Sequence, residues 1–247
     1  MSSDILLDAV SVRLGEDLAL SDVSLRLDQQ RIAVIGANGS GKSTFARLLG
    51  GLVTAESGTV SVLGLDPARQ AKDLRKRVGF VFSNPDAQII MPTVAEDVAF
   101  SLRSERLPKA DVAARVAAAL EEFGLAELAD RAAHDLSGGQ KQLLALCGLL
   151  IRQPSLVIAD EPTAYLDARN SRLIAGHLLG DVDSRTGTGT RARTGEGTAS
   201  NHRLILVTHD LALAARCDVA VLFEGGRLVA VGVPDEVIDR YEASLQC

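Results

Sequence analysis

The sequence predicts an α/β domain that carries an inserted all-α block, on three observations. Short uninterrupted apolar runs recur along the chain, and such runs mark strands covered on both faces. Longer stretches with helical spacing alternate with them, which is the pattern of an α/β body. Between Pro85 and Asp135 the helical spacing continues without a strand run to interrupt it.

The elements follow in chain order. "VSLRL" (23–27) alternates Val23, Leu25 and Leu27 against Ser24 and Arg26, so it reads as a half-buried strand. "RIAVIG", "RVGFVF", "SLVIAD" and "RLILVT" are the continuous apolar runs. "DVAARVAAALEEF" (111–123) places Val112, Val116, Ala119, Leu120 and Phe123 on one helix face, with Asp111 as a candidate cap. "VAVLFEGGRLVAVG" reads as a hairpin turning at Gly225 and Gly226. Residues 181–202, rich in Gly and Thr and without periodicity, read as a surface loop between a helix and a strand. The whole of 1–247 then reads as one domain, with 1–84 and 136–247 as its α/β body and 85–135 as the helical insertion.

Composition removes several function classes. Aromatic residues make up 3% with no Trp, so stacking platforms for nucleic acid are scarce. The net charge of −6 also argues against a nucleic-acid partner. The apolar run Leu143 to Ile151 is about half of the ~20 residues a membrane span needs. "MSSDILLDAV" lacks the basic and apolar segments of a secretion signal, so a cytosolic protein is expected. Cys147, Cys217 and Cys247 are far apart and odd in number, which suits core filling or a loose thiol rather than a disulfide framework.

The strongest chemical signal is "GANGSGKST", comprising Gly36, Ala37, Asn38, Gly39, Ser40, Gly41, Lys42, Ser43 and Thr44. It follows a strand run and precedes a helical one, the context that makes G-x-x-x-x-G-K-[ST] a phosphate loop. Its glycines let backbone N–H groups curl around an anion, and the helix adds its positive end. Lys42 can reach the β- and γ-phosphates, and Ser43 can ligate Mg²⁺. Asp160 closes "SLVIAD" at the C-terminal edge of a strand, where open α/β sheets bind ligands, and is a second metal-side group. Glu161 follows and can accept a proton from an attacking water. His209, ending "LVTH" beside the same edge, is placed to sense the γ-phosphate.

A second grip lies far downstream. "LSGGQ" puts Ser137, Gly138, Gly139 and Gln140 at the start of an apolar helix, another place to hold an anion. The first pocket is complete without it. Two copies head to tail, each grip closing on the other's nucleotide, would use both, and Asp167 would lie at their seam.

Together these motifs resemble the ATP-binding-cassette (ABC) ATPases over almost the whole chain. The Walker A loop is Gly36 to Thr44, the signature Leu136 to Gln140 and the Walker B strand Leu156 to Asp160. Glu161 then follows as catalytic base, Asp167 as part of the D-loop and His209 as the switch histidine. The resemblance implies a P-loop NTPase fold with a mostly parallel core sheet and an N-terminal antiparallel β part. It further implies hydrolysis of ATP with Mg²⁺, a signature acting in trans, and use as a dimer with itself or with a homologous cassette. "VGFVFSNPDAQIIMPTVAEDVAFSL" (78–102) looks like the matching segment of energy-coupling-factor transporter ATPases, and within them of biotin-transport ATPases. That implies two membrane partners, a scaffold and a substrate-binding protein, met through Asn84, Asp86 and Gln88. It also implies a peripheral place on the cytoplasmic face of the inner membrane.

Two positions depart from the family pattern. Ser83 stands where a glutamine usually reaches the metal, so it would act through a bridging water, or Gln88 or Asn84 would share the work. The first strand has Arg13 and Leu14 where the family often stacks an aromatic on adenine, so one of these would meet the base and ATP and GTP should be poorly discriminated. Two rival readings are weaker. A soluble ABC ATPase acting on a protein or nucleic-acid assembly usually has tandem cassettes or a coiled-coil insert. A small-molecule P-loop kinase leaves "LSGGQ" and Glu161 unexplained.

Overall fold

The computed structural model describes residues 5–180 and 202–245. These fall into two units, one comprising 5–80, 155–161 and 203–245, the other 81–154, 162–180 and 202.

Two sheets form the first unit. In the smaller, β1 (Ile5–Leu14) is central, antiparallel to both β2 (Asp17–Leu27) and β4 (Ser57–Val62). The predicted alternation holds in β2, where Val23, Leu25 and Leu27 are buried and Ser24 and Arg26 exposed. The larger sheet has six strands in the order β5-β6-β7-β3-β8-β9. β3 (Arg31–Ile35) runs parallel to β7 (Arg203–Val207) and β8 (Val219–Glu224), and β6 (Leu156–Asp160) parallel to β7. β5 (Val78–Val81) forms one edge. At the other edge β9 (Arg227–Gly232) returns antiparallel through the predicted Gly225–Gly226 hairpin. The apolar residues of β3, β6 and β7 are fully buried, and those of β5 are buried except Phe80, because both sheet faces are covered. Phe45 of α1 (Lys42–Leu49) packs its ring 5.0 Å from that of Phe223 within a core that also holds Leu7, Leu20, Ile32 and Ile158. Helices α2 (Ala71–Arg77), α7 (Leu211–Ala214) and α8 (Pro234–Ser244) complete the unit.

The second unit is helical. α3 (Val94–Ser101) packs on α4 (Lys109–Glu122) and on α5 (Gly138–Leu150), and α5 packs on α6 (Ala168–Leu179). The α4 face is as expected, with Val116, Leu120 and Phe123 buried. Its start is not. Pro108 is the N-cap and Asp111 lies inside the first turn. Proline's fixed φ suits a helix entry and starts the helix earlier than a capping aspartate would. The sequence reading also drew the unit boundary elsewhere. Residues 136–154 and 162–180 belong with the helical block rather than with the α/β body. The reason is that α5 is apolar nearly all round and buries Leu143 through Leu149 among α3 and α6.

Of the cysteines, Cys147 and Cys217 are buried, and burial pushes each thiol up to about 12, so both are inert core residues. Cys247 lies outside the described residues, as does the predicted loop apart from His202.

Candidate functional site

The phosphate loop depends on two glycines that nothing else could replace. Gly36 has φ 142°, and a Cβ there would stand 2.2 Å from Phe223 O and 2.8 Å from Ser40 Oγ. Gly41, the N-cap of α1, has φ 102°, and its Cβ would meet Ala19 O at 2.7 Å. Gly41 provides no side-chain cap, so the first-turn N–H groups of α1 are left for an anion. Lys42 is 5% exposed, and its Nζ donates to Gly36 O and Ala37 O, both at 2.8 Å. Burial lowers its pKa, and Glu161 and Asp160 pull it partly back. Ser40 Oγ is buried with no hydrogen-bond partner among the described residues. Asn38, Gly39, Ser40, Gly41, Lys42, Ser43 and Thr44 join Ala19, Glu161 and His209 around a cleft of about 230 Å³.

The acidic side comes from the end of β6. Asp160 is 6% exposed, and its Oδ1 accepts from Ser43 Oγ at 2.9 Å. A hydroxyl and a carboxylate so paired are the hard oxygen donors that Mg²⁺ takes. Among the described residues no three His, Cys, Asp or Glu cluster as a protein cage. Magnesium fits this donor set, because it keeps most of its shell as water and phosphate oxygen.

Glu161 leaves the strand with φ 52°, in the left-handed region that costs a non-glycine residue roughly 1–2 kcal/mol. Its N–H donates to Val207 O at 3.0 Å, so the β6–β7 pairing holds the turn. The turn carries the carboxyl to His209, with Oε1 3.2 Å from Nε2 and Oε2 accepting the His209 backbone N–H at 3.4 Å. Burial raises the Glu161 pKa, against the His209 N–H and the Lys42 charge. Burial likewise lowers the His209 pKa, and Lys42 adds to this. Both shifts favour neutral groups, and Oε1 has no hydrogen-bond partner among the described residues. The two side chains are close neighbours, and the hydrogen bond between the two residues is donated by the His209 backbone N–H. A carboxyl with a raised pKa beside an anion site can take a proton from water near neutral pH.

The expected base contacts are not brought to this cleft. Neither Arg13 nor Leu14 lines it. Arg13 lies just before the β1–β2 turn, where Nη1 donates to Glu16 O at 2.8 Å and Nε to Glu56 Oε1 at 3.3 Å. Leu14 is 41% exposed. The hairpin presents Ala19 instead, a residue with no sequence signal to single it out.

The second grip belongs to the other unit. At the start of α5, Ser137 Oγ accepts from Gln140 N at 3.3 Å and Gln140 Oε1 from Ser137 N at 2.9 Å, a reciprocal capping box. That box uses the Gln140 side chain. It leaves the N–H groups of Gly138 and Gly139, and the hydroxyl hydrogen of Ser137, with no partner among the described residues. Gly139 has a packing reason as well, since a Cβ would come within 2.4 Å of the Asn170 side chain. Asn170 in turn donates from Nδ2 to Asp167 Oδ2 at 2.8 Å. Asp167 caps α6 by accepting from Arg169 N and Asn170 N, and these bonds, that to Asn170 N foremost, lower its pKa. Ser83 is exposed in this unit. Neither amide near it is free, as Gln88 Oε1 accepts from Phe82 N and Asn84 Oδ1 from Asp86 N.

The family description "ABC transporter" matches residues 20–164. The chain belongs to the ABC transporter ATP-binding family. As an ABC ATPase it is 40% identical to the biotin transport ATP-binding protein BioM of Rhizobium etli, over 96% of this chain and 97% of that one. It is 36% identical to the energy-coupling factor transporter ATP-binding protein EcfA1 of Bacillus subtilis, over 90% and 75%. Among solved structures it resembles cbiO1 of Clostridium perfringens, part of the ABC transporter complex cbiONQ, with a TM-score of 0.79 and 28% identity over 98% and 93%. The ABC ATPase fold, with a mostly parallel sheet, an antiparallel sheet and helices, is as the sequence resemblance implied. No helix among the described residues is long and apolar enough to cross a membrane.

Proposed function

We propose that this chain is the ATP-hydrolysing subunit of an energy-coupling-factor importer for a vitamin, biotin being the first candidate. The reading rests above all on one cleft where an uncapped helix start, Lys42, Ser43 with its partner Asp160, and the Glu161–His209 neighbours meet. Biotin and the energy-coupling type are supported by the relatives named above.

In this proposal the α1 N–H groups and Lys42 hold the β- and γ-phosphates of ATP. Ser43 and Asp160 take Mg²⁺, which neutralises phosphate charge when bound, and Ser83 contributes through a water. Glu161 accepts the proton of the attacking water, and His209 holds its carboxyl and senses the γ-phosphate. The unpartnered N–H groups of Gly138 and Gly139, with the Ser137 hydroxyl, close on the nucleotide of a second copy, head to tail, with Asp167 at the seam. Closure and reopening are passed to a membrane scaffold and a substrate-binding membrane protein through Asn84, Asp86 and Gln88, on the cytoplasmic face of the membrane.

The test is Glu161→Gln. It should bind ATP, stay closed and elute as a stable dimer, while the wild type reopens after turnover. Wild-type turnover in that variant would remove Glu161 as the base. Co-purification with an integral membrane scaffold, and loss of biotin uptake on deletion, test the transport part. A chain that captures only soluble proteins would replace it.

A further inference from the structure

Phe82 directly precedes Ser83, and its backbone is held from both sides by glutamines. Its N–H donates to Gln88 Oε1 at 2.8 Å, and its C=O accepts from Gln142 Nε2 at 3.1 Å. Gln142 is 1% exposed and sits in the second turn of α5. The preceding residue reaches the same segment further along, with Lys141 Nζ 2.8 Å from Asp86 Oδ1. Two consecutive side chains of α5 therefore grip a five-residue stretch near both its ends. Ser83 and Asp86 share with Gly138, Lys141 and Gln142 one cleft of about 370 Å³.

We propose that Lys141 and Gln142 are positioning residues that lock the Ser83 segment to the start of α5, with Gln88 bracing that segment from within. The proposal rests on the ATPase reading above. A serine hydroxyl has almost no reach of its own, so its location is set by the backbone that carries it. A longer amide could search for its ligand, whereas Ser83 must be delivered to it. Holding Phe82 through both its N–H and its C=O removes the slack just before Ser83. The buried Gln142 bond is the anchor, because an unmet C=O there would be costly. The Lys141–Asp86 pair is half open to solvent, with side-chain exposures of 18% and 64%, and sets register more than stability.

The ion pair gives the cleanest experiment. Lys141→Glu and Asp86→Lys should each lower kcat for ATP by roughly three- to tenfold and leave KM within about twofold, since the phosphate loop belongs to the other unit. The reversed pair, Lys141→Glu with Asp86→Lys, should recover most of kcat. Gln142→Leu should lose kcat within the same range, and no more than Ser83→Ala does, with its fold checked by circular dichroism. Wild-type kcat in both single variants overturns the proposal, and so does failure of the reversed pair to recover. If Glu161→Gln is inactive while these variants turn over normally, only the clamp fails. If Glu161→Gln turns over normally, the underlying ATPase assignment fails.

Discussion

Glu161 shows how one residue is prepared by its surroundings. A left-handed turn held by Val207 carries its carboxyl off the sheet edge, and burial raises its pKa above the ordinary 4.5. A base must be ionised to act, so a raised pKa moves the acid limb of activity upward. A plot of kcat against pH should fall on the acid side above pH 4.5. Removing a general base commonly costs about 10²–10⁴-fold. Glu161→Gln should show that loss and a flattened acid limb. Ser83→Ala should cost less than about tenfold, because a water can partly take the place of a lost hydroxyl. Equal losses in the two variants, measured by phosphate release, would exclude a water-bridged serine. The sequence placed Glu161 by its position after a strand, yet its backbone conformation carried no signal there. A glutamate is not a residue from which positive φ is expected.

Elements are joined in the helical unit by an aromatic stack that no periodicity announces. Phe123, at the end of α4, lies ring to ring with His177 of α6, centroids 4.0 Å apart and planes at 10°. His177 is 8% exposed, and burial lowers its pKa to about 4 from an ordinary 6.5. The folded protein keeps the ring neutral while the unfolded chain takes a proton below pH 6.5. Stability from this group is thus full above pH 6.5 and declines as pH falls toward 4. Between pH 7.5 and 5 the loss should be about 2 kcal/mol, read from urea midpoints. His177→Phe keeps a ring in place and should remove most of that pH dependence. An unchanged slope would mean the ring is protonated in the fold. Helix existence was legible from spacing, whereas the α4 start was not, because proline outweighed the aspartate three residues on.

For the whole molecule the decisive proposal is the composite site. The capping box leaves Gly138 and Gly139 N–H groups for an acceptor outside their own helix. If a second copy's nucleotide is that acceptor, specific activity per chain should fall on dilution below the dimer constant. Activity should return when chains are linked in tandem. Rate per chain independent of concentration, in a preparation shown monomeric by light scattering, would overturn it.

Local chemistry in the chain was enough to place the Gly36–Thr44 loop before a helix, Asp160 and Glu161 at a strand end with His209 beside them, and a capped glycine turn at Ser137. Each depends on residue types at fixed short spacing, and geometry over a few residues follows from the backbone itself. The parallel strands were equally legible, since burial on both faces leaves an unbroken apolar run. Tertiary structure alone decided that Arg13 is engaged by Glu56 and Glu16 while Ala19 lines the cleft, and that Gln142 reaches Phe82 across 60 positions. It also decided that α5 belongs with the helices and not with the sheet. Those outcomes turn on which surfaces meet when distant segments pack, and sequence spacing holds no record of that.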